Sequence, residues 1–144
     1  MRNFEDFWDG KWFEDMMIKG GYNIDKPIGD CVFCDKSKIK SATIEMLSYD
    51  GIDFMCFTPL NPIIAGHLLI VPVPHVDDSS EDYKITGAGF ALAAKVADKY
   101  NYKDYNLISN KGKLADQTVF HLHIHIIPRG KNDDTITIWN KNEL

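Results

Sequence analysis

Two stretches of the chain carry the hydrophobic spacing of an amphipathic helix. In the first, large apolar residues recur at every fourth position within residues 3–19 and fall on one helix face. This face is expected to pack on the protein's own core, and a docking surface for a partner is the alternative. The second begins around residues 79–82, where hydroxyl and acidic side chains suit a helix start, and runs to about Tyr100. Because Gly87 and Gly89 interrupt this stretch, its first turns are expected to be separate from the rest.

The other apolar runs are short and rich in β-branched and aromatic residues, which is typical of strands. Asp50-Gly51 between the first two runs is a hairpin signal. The predicted strands are residues 42–48, 52–58, His67–Val73, 104–109 and Thr118–Ile127, with a short extra strand at Thr135–Trp139. An antiparallel sheet of about five strands, one main helix and an extra N-terminal helix together predict an α+β domain.

Composition and charge narrow the class of protein. The 144 residues are 44% hydrophobic and 26% charged, as in ordinary globular domains. The formal net charge of −5 argues against a protein that coats a nucleic-acid polymer, although a local pocket can still bind one nucleotide. Every apolar run is shorter than the about 18 residues that cross a membrane, and acidic residues interrupt the N-terminus. We therefore expect a cytoplasmic protein with no membrane partner and no signal peptide.

The segment Phe120–Arg129 carries the most specific chemistry, because His121, His123 and His125 alternate in it with apolar residues. Successive side chains of a strand point to opposite faces, so all three imidazoles are expected on one face, about 6.5–7 Å apart. Such a row can bind adjacent atoms of a phosphate-sized ligand. A metal cluster built from all three is the alternative, but this spacing is too wide for ligands that must lie about 2.1 Å from one zinc ion.

This segment resembles, at every position, the signature of the histidine-triad (HIT) superfamily, His-φ-His-φ-His-φ-φ with φ apolar. Further segments resemble the family's motifs in the family's order: Cys31–Cys34, Gly66–His75, Asn110 and Gln117–Phe120. The resemblance covers about residues 29–139 and is to zinc-containing, Hint-like members of bacterial type. It implies a HIT domain over residues 29–144, preceded by an N-terminal extension over residues 1–28 that the spacing predicts to be helical.

The resemblance also implies a role for each matching residue. The family's central histidine attacks the α-phosphate of a nucleotide, so His123 is the expected nucleophile and becomes a covalent nucleotidyl-histidine. His125 is expected to bind the phosphate oxygens, and His67 to lie beside the triad and orient it. His121 completes the catalytic set. The implied donors to the phosphate and leaving group are Asn110, Gln117 and Thr118.

The sequence departs from the family pattern at Pro59. Nucleoside-specific members usually carry an acidic residue there, which binds the ribose hydroxyls. Proline has no side-chain acceptor for such a bond. The neighbouring apolar residues Leu60 and Phe57 are therefore expected to pack against the base.

The chain has three cysteines, and their odd number predicts reduced thiols. Cys56 lies in an apolar strand and is expected to be a small buried hydrophobe. The resemblance assigns the other two to a metal. Zinc-containing relatives use residues that correspond to Cys31, Cys34, His75 and His121, and two thiolates with two imidazoles form a closed, structural zinc site. The family's phosphate chemistry itself needs no metal.

Three functions follow from the resemblance. The first is hydrolysis of nucleoside phosphoramidates or dinucleoside polyphosphates at the α-phosphate. The second is nucleotidyl transfer to an acceptor other than water, and the third is a nucleotide-binding interaction module with little turnover. The expected partner is a nucleotide or a nucleotide conjugate, and Hint-like members further imply a homodimer.

Overall fold

The described part of the chain folds into one sheet and one α-helix. The computed structural model describes residues 31–41, 43–131 and 133. The helix predicted over residues 3–19, the boundary at residue 28 and the strand predicted at Thr135–Trp139 lie outside those residues. The elements are β1 (Ile44–Tyr49), β2 (Ile52–Phe57), β3 (Leu68–Pro72), α1 (Tyr83–Lys99), β4 (Tyr105–Ile108) and β5 (Ile124–Pro128). No helix within the described ranges is long and apolar enough to cross a membrane.

The five strands form an antiparallel sheet in the order β1-β2-β3-β5-β4. The predicted hairpin is confirmed, because Asp50 and Gly51 adopt positive φ angles of 51° and 73° between β1 and β2. β3 and β5 are neighbours although α1 and β4 separate them in the chain, and Leu69 lies opposite His125. This pairing brings the residues at the start of β3 next to the histidine segment.

Both faces of the sheet are covered. Along β2, Phe54 packs in a cluster with the apolar face of α1, whereas Met55 packs in a second cluster on the opposite face. The second cluster includes Phe33 from the Cys31–Cys34 segment. The central strands are therefore buried on both sides, and the cysteine segment is attached to the core on the face opposite the helix.

The interruption predicted in the main helix is wrong. α1 is continuous from Tyr83 to Lys99 and includes both glycines, and Asp82 caps it by accepting a hydrogen bond from the backbone N–H of Ile85. A Cβ at Gly89 would lie 2.7 Å from Cδ1 of Ile124. This glycine therefore allows the helix to approach the sheet closely, and packing against the sheet outweighs its low helix propensity.

The strand that contains the histidine segment begins later than expected. It was predicted over Thr118–Ile127, but β5 begins only at Ile124. Ile70 lies opposite Ile124, so the same register would place Pro72 opposite Leu122, and proline has no N–H to donate to the ladder. The N–H of Leu122 instead donates to the carbonyl of Val76, at 2.7 Å.

Gly66, directly before His67, is expected to tolerate no side chain. Its φ angle is +89°, and an added Cβ would lie 2.7 Å from the Tyr102 hydroxyl, which itself donates to the Gly66 carbonyl. Gly66→Ala should therefore lower the free energy of unfolding by about 2–3 kcal/mol, measured by urea denaturation. Gly87→Ala is the matched control in α1, where a Cβ meets nothing within 4 Å. It should stabilise the protein by about 0.5–1 kcal/mol, and equal effects of the two changes would contradict this account.

Candidate active site and metal centre

The three imidazoles of the predicted row contribute to two adjacent groups of histidines. Only His125 lies in β5, while His121 and His123 precede the strand. The rings of His123 and His125 lie 5.1 Å apart between centroids, and the His67 ring lies 5.1 Å from His125. The ring of His121 instead lies 4.8 Å from that of His75. The triad is thus divided between a candidate active site and a candidate metal centre.

His123 has the surroundings that an imidazole nucleophile requires. Its side chain is 7% exposed, and its Nδ1 lies 2.8 Å from the backbone carbonyl oxygen of His121. A carbonyl only accepts, so Nδ1 carries the proton and Nε2 keeps its lone pair. Burial also lowers the pKa of His123, which favours the neutral ring. The arrangement therefore presents Nε2 as a base or nucleophile.

A chain of hydrogen bonds gives the neighbouring His125 the opposite role. The backbone N–H of Ile63 donates to Nδ1 of His67 at 3.1 Å, so a neutral His67 carries its proton on Nε2. That nitrogen lies 2.9 Å from Nδ1 of His125, which accepts, leaving a proton on Nε2 of His125. Burial, then repulsion from His123 and His67, lowers the pKa of His125 to about 4. His125 can therefore offer a neutral N–H to a phosphate oxygen.

The predicted metal ligands meet at one place. One ligand atom from each of Cys31, Cys34, His75 and His121 lies within 4.8 Å of all the others. Nδ1 of His121 lies 3.4 Å from Sγ of Cys31 and 3.5 Å from Sγ of Cys34. Bond lengths of 2.1–2.3 Å around a tetrahedral zinc ion imply ligand-to-ligand distances of about 3.4–3.8 Å. The donor set fits zinc, and the two distances from His121 match the spacing around such an ion, while Nδ1 of His75 lies somewhat closer, 3.1 Å from both Sγ of Cys34 and Nδ1 of His121.

The second nitrogens of the two metal-centre histidines support a cation in this centre. Nε2 of His121 donates to the carbonyl of Pro72 at 2.7 Å, and Nε2 of His75 donates to Oδ1 of Asp77 at 2.8 Å. Both Nδ1 atoms then direct lone pairs at each other across 3.1 Å, which is repulsive unless a cation or a shared proton lies between them. Hydrogen bonds of this kind orient the histidine ligands of metal sites.

The thiols of Cys34 and Cys56 lie in different surroundings, the first in the candidate metal centre and the second in the core. Burial, followed by the hydrogen bond that the Cys34 thiol donates to Cys31 and by the charge of Cys31, raises the pKa of Cys34 to about 11. A bound divalent cation would act against this shift by favouring the thiolate. Cys56 is 4% exposed within the core, as predicted, and burial raises its pKa to about 11. It is therefore an inert side chain in packing contact with the helix face.

Two predicted base-packing residues lie in different environments. Leu60 is 67% exposed in the segment between β2 and β3 and can contact a ligand. Phe57 is 4% exposed and packs edge-on against Phe33, with the ring centroids 5.7 Å apart. Its buried ring leaves little surface for a base, so contact between Phe57 and a nucleotide stays a prediction.

The predicted phosphate donors differ in their exposure to solvent and in their hydrogen bonds. Asn110 is half-buried and follows β4, whose Ile108 lies opposite His125, and Thr118 is exposed. Gln117 is 4% exposed, and its Nε2 donates to the carbonyls of Asp77 and Val119. Its Oε1 accepts from the N–H of Gly112 at 2.8 Å. Gln117 thus braces its own loop, and donation to a phosphate would require one of these bonds to break.

Sequence reasoning missed the groups that hold the histidines. Ile63 and Pro72 act through backbone atoms, which every residue has, so no side-chain signal marks them. Asp77 follows His75 by two residues, and a carboxylate so close to a histidine ligand is a usable signal for an orienting partner. Phe33 lies inside the Cys-x-x-Cys segment, and its ring is 5.3 Å from that of His123.

Comparison with known proteins agrees with this geometry. The family model described as the HIT domain matches residues 45–132, more than half of the chain. The chain belongs to the HIT domain family. Adenosine 5'-monophosphoramidase HNT1 of Saccharomyces cerevisiae is 32% identical over 119 residues, which cover 78% of this HIT protein and 72% of the relative.

Two solved structures extend the comparison to the fold of this HIT protein. A HIT family hydrolase from Clostridium thermocellum is 31% identical, with a TM-score of 0.62, and the match covers 78% of this chain and 99% of that one. A zinc-bound histidine triad family protein from Mycobacterium smegmatis is 30% identical, with a TM-score of 0.58, covering 74% and 80%. The sheet and helix described above are therefore those of the HIT fold.

Proposed function

We propose that this protein is a nucleotide hydrolase that acts at the α-phosphate through a covalent nucleotidyl-histidine on His123. The observation that carries the proposal is the hydrogen bond from Nδ1 of His123 to the carbonyl of His121, at 2.8 Å. It leaves Nε2 with a lone pair beside His125, whose own Nε2 carries a proton. One nitrogen that attacks and one that donates are the two groups that phosphoryl substitution needs.

The proposed reaction has two steps. Nε2 of His123 forms a bond to the α-phosphorus while the bond to the leaving group breaks, and the leaving group takes up a proton. A water molecule then attacks the same phosphorus and gives up a proton to solvent, while the bond between phosphorus and Nε2 breaks, which releases the nucleoside monophosphate and restores His123. In both steps the N–H of His125 donates to a phosphate oxygen, where negative charge grows in the transition state.

The yeast relative's name supports nucleoside phosphoramidates as the first substrate class, and adenosine as a base to test first. Dinucleoside polyphosphates are the second class, because they also offer an α-phosphorus with a good leaving group. The alternatives are nucleotidyl transfer to an acceptor other than water, and a nucleotide-binding module without turnover. A location in the cytoplasm is part of the proposal.

We further propose that Cys31, Cys34, His75 and His121 hold a structural zinc ion. Support comes from the ligand spacing, from the two facing Nδ1 lone pairs and from the zinc-bound relative of Mycobacterium smegmatis. The ion would brace the Cys-x-x-Cys segment against the residues after β3. A homodimer is also proposed, since β1 and β4 form the two outer edges of the described sheet and a strand of a second copy can add to such an edge.

The substrate proposal is tested with adenosine 5'-phosphoramidate, diadenosine polyphosphates and their guanosine counterparts, in water enriched in oxygen-18. We expect release of the nucleoside monophosphate with one labelled oxygen on phosphorus, and fastest turnover of the phosphoramidates. Product without the label, but joined to an added alcohol or phosphate, would favour the transferase. Tight binding of every compound without any product would favour the binding module and contradict the hydrolase.

A further inference from the structure

Phe33 links the two groups of histidines. It lies between the metal-binding cysteines in sequence and is 9% exposed. Its ring packs edge-on against His123, with centroids 5.3 Å apart and planes at 82°. It also packs edge-on against His121, with centroids 5.9 Å apart and planes at 80°. Edge-to-face contacts at these separations favour one mutual orientation of the rings.

His123 has few other restraints. β5 begins at Ile124, so the strand ladder does not include the backbone of His123. Its one described hydrogen bond, from Nδ1 to the His121 carbonyl, fixes a single ring atom and leaves the ring able to tilt about it. The Phe33 ring on one side and the His125 ring, 5.1 Å away between centroids, limit that tilt.

Both restraints lead back to the candidate metal centre. The carbonyl belongs to His121, whose Nδ1 is a predicted ligand. Phe33 belongs to the segment held at both ends by Cys31 and Cys34, and its other edge-on partner is Phe57, with centroids 5.7 Å apart in the core. Movement of the cysteine segment would therefore move the aromatic ring that lies against the nucleophile.

We propose that Phe33 is a positioning residue, which transmits the order of the Cys31–Cys34 segment to the ring of His123. The inference rests on the proposed function of His123 and adds a residue to it. The consequence is geometric, since a nucleophile must be held in line with the bond that breaks, and small displacements reduce the rate strongly. The metal centre then contributes to the reaction by ordering the nucleophile, without contacting substrate.

The alternative is that Phe33 only fills the core. In that case, replacing it lowers stability but leaves the rate and the His123 ring of the folded protein unchanged. A change at the neighbouring Val32 helps to distinguish the positioning role from the core-filling role, because Val32 lies in the same segment and is 40% exposed. Val32→Ala is therefore a matched control that changes the segment without changing the contact with His123.

The test compares zinc-loaded Phe33→Leu with Val32→Ala and wild type. In Phe33→Leu we expect unchanged zinc content, a rate of nucleotidyl-histidine formation about tenfold lower and a KM within about twofold of wild type. Nitrogen-15 spectra of the imidazoles should show the Nδ1–H signal of His123 broadened or shifted. Val32→Ala should match wild type in all four measurements. If Phe33→Leu does not fold, Phe33→Met preserves an apolar side chain of similar length and takes its place.

Unchanged kinetics and unchanged His123 signals in folded Phe33→Leu, with only a lower melting temperature, would overturn the proposal. Loss of zinc from Phe33→Leu would also overturn it, because the residue would then act on the metal rather than on the nucleophile. The ring spectra do not depend on turnover. If wild type forms no nucleotidyl-histidine, the proposed function fails by itself, and the spectra still report whether Phe33 positions the ring.

Discussion

His123→Ala should lower kcat by about 10⁴-fold to 10⁶-fold, the loss seen when a covalent nucleophile is removed from an enzyme that uses one. In the proposed reaction the imidazole supplies the atom that attacks phosphorus, and alanine offers no substitute. The measurement is single-turnover release of nucleoside monophosphate. In parallel, an α-labelled substrate is quenched in base and the protein-bound, acid-labile label is counted. Wild type should carry the label and the variant should not.

Matched variants distinguish the nucleophile from its neighbour. His125→Gln keeps a side-chain N–H donor, so it should slow formation of the adduct without abolishing it. His123→Ala should retain the fold and the metal, since the hydrogen bond that it loses is to a backbone carbonyl and its ring is not among the predicted ligands. Acid-labile label on His123→Ala would assign the nucleophile to another residue and refute the proposed reaction.

Removing the metal should have the second large effect, on stability. A structural zinc site contributes its binding free energy to folding, so chelation or Cys34→Ser should lower the free energy of unfolding by at least about 5 kcal/mol. That loss is comparable with the whole stability of many domains. Thermal unfolding with and without a chelator measures it, together with metal analysis by mass spectrometry, which should find about one zinc per chain in wild type.

Cys56→Ala is the matched control, because this cysteine is buried in the core and lies outside the ligand cluster. It should cost about 1 kcal/mol, as small core substitutions do, and keep its zinc. Restoring zinc to chelated wild type should recover the melting temperature. Equal stability of wild type and Cys34→Ser, with no metal in either, would contradict the proposed zinc centre.

The sequence pattern predicted the candidate residues of the histidine segment better than it predicted the secondary structure of that segment. Alternation with a period of two marked His121, His123 and His125 as the candidate functional segment, but it also predicted a strand over all three, and only His125 lies in one. The end of the hydrogen-bond ladder of β5 depends on its partner strand, β3. In β3, Pro72 lies where the next backbone N–H is needed, and proline has none. The sequence of the histidine segment alone does not show which residues of β3 lie opposite it.

The cluster of four candidate metal ligands could be predicted because each is a side chain of recognisable chemistry in a motif of known order. The supports of the histidines could not, since they are mostly backbone groups brought close by the pairing of β3 with β5. The N–H of Ile63 and the carbonyl of Pro72 become specific only through their position in the folded chain. Similarly, Gly89 looked like a helix breaker until its contact with the sheet was known.

The side chain and the backbone carbonyl of His121 have different contacts, and this separation affects how such proteins can change during evolution. Its imidazole faces the cysteines, whereas its carbonyl accepts the Nδ1–H of His123 and so sets the tautomer of that ring. Any residue at this position supplies the same carbonyl. If the proposed zinc site and nucleophile are correct, a related protein can therefore lose the metal by a change of this side chain and keep His123 protonated on Nδ1, provided that other packing replaces the contacts of the ion.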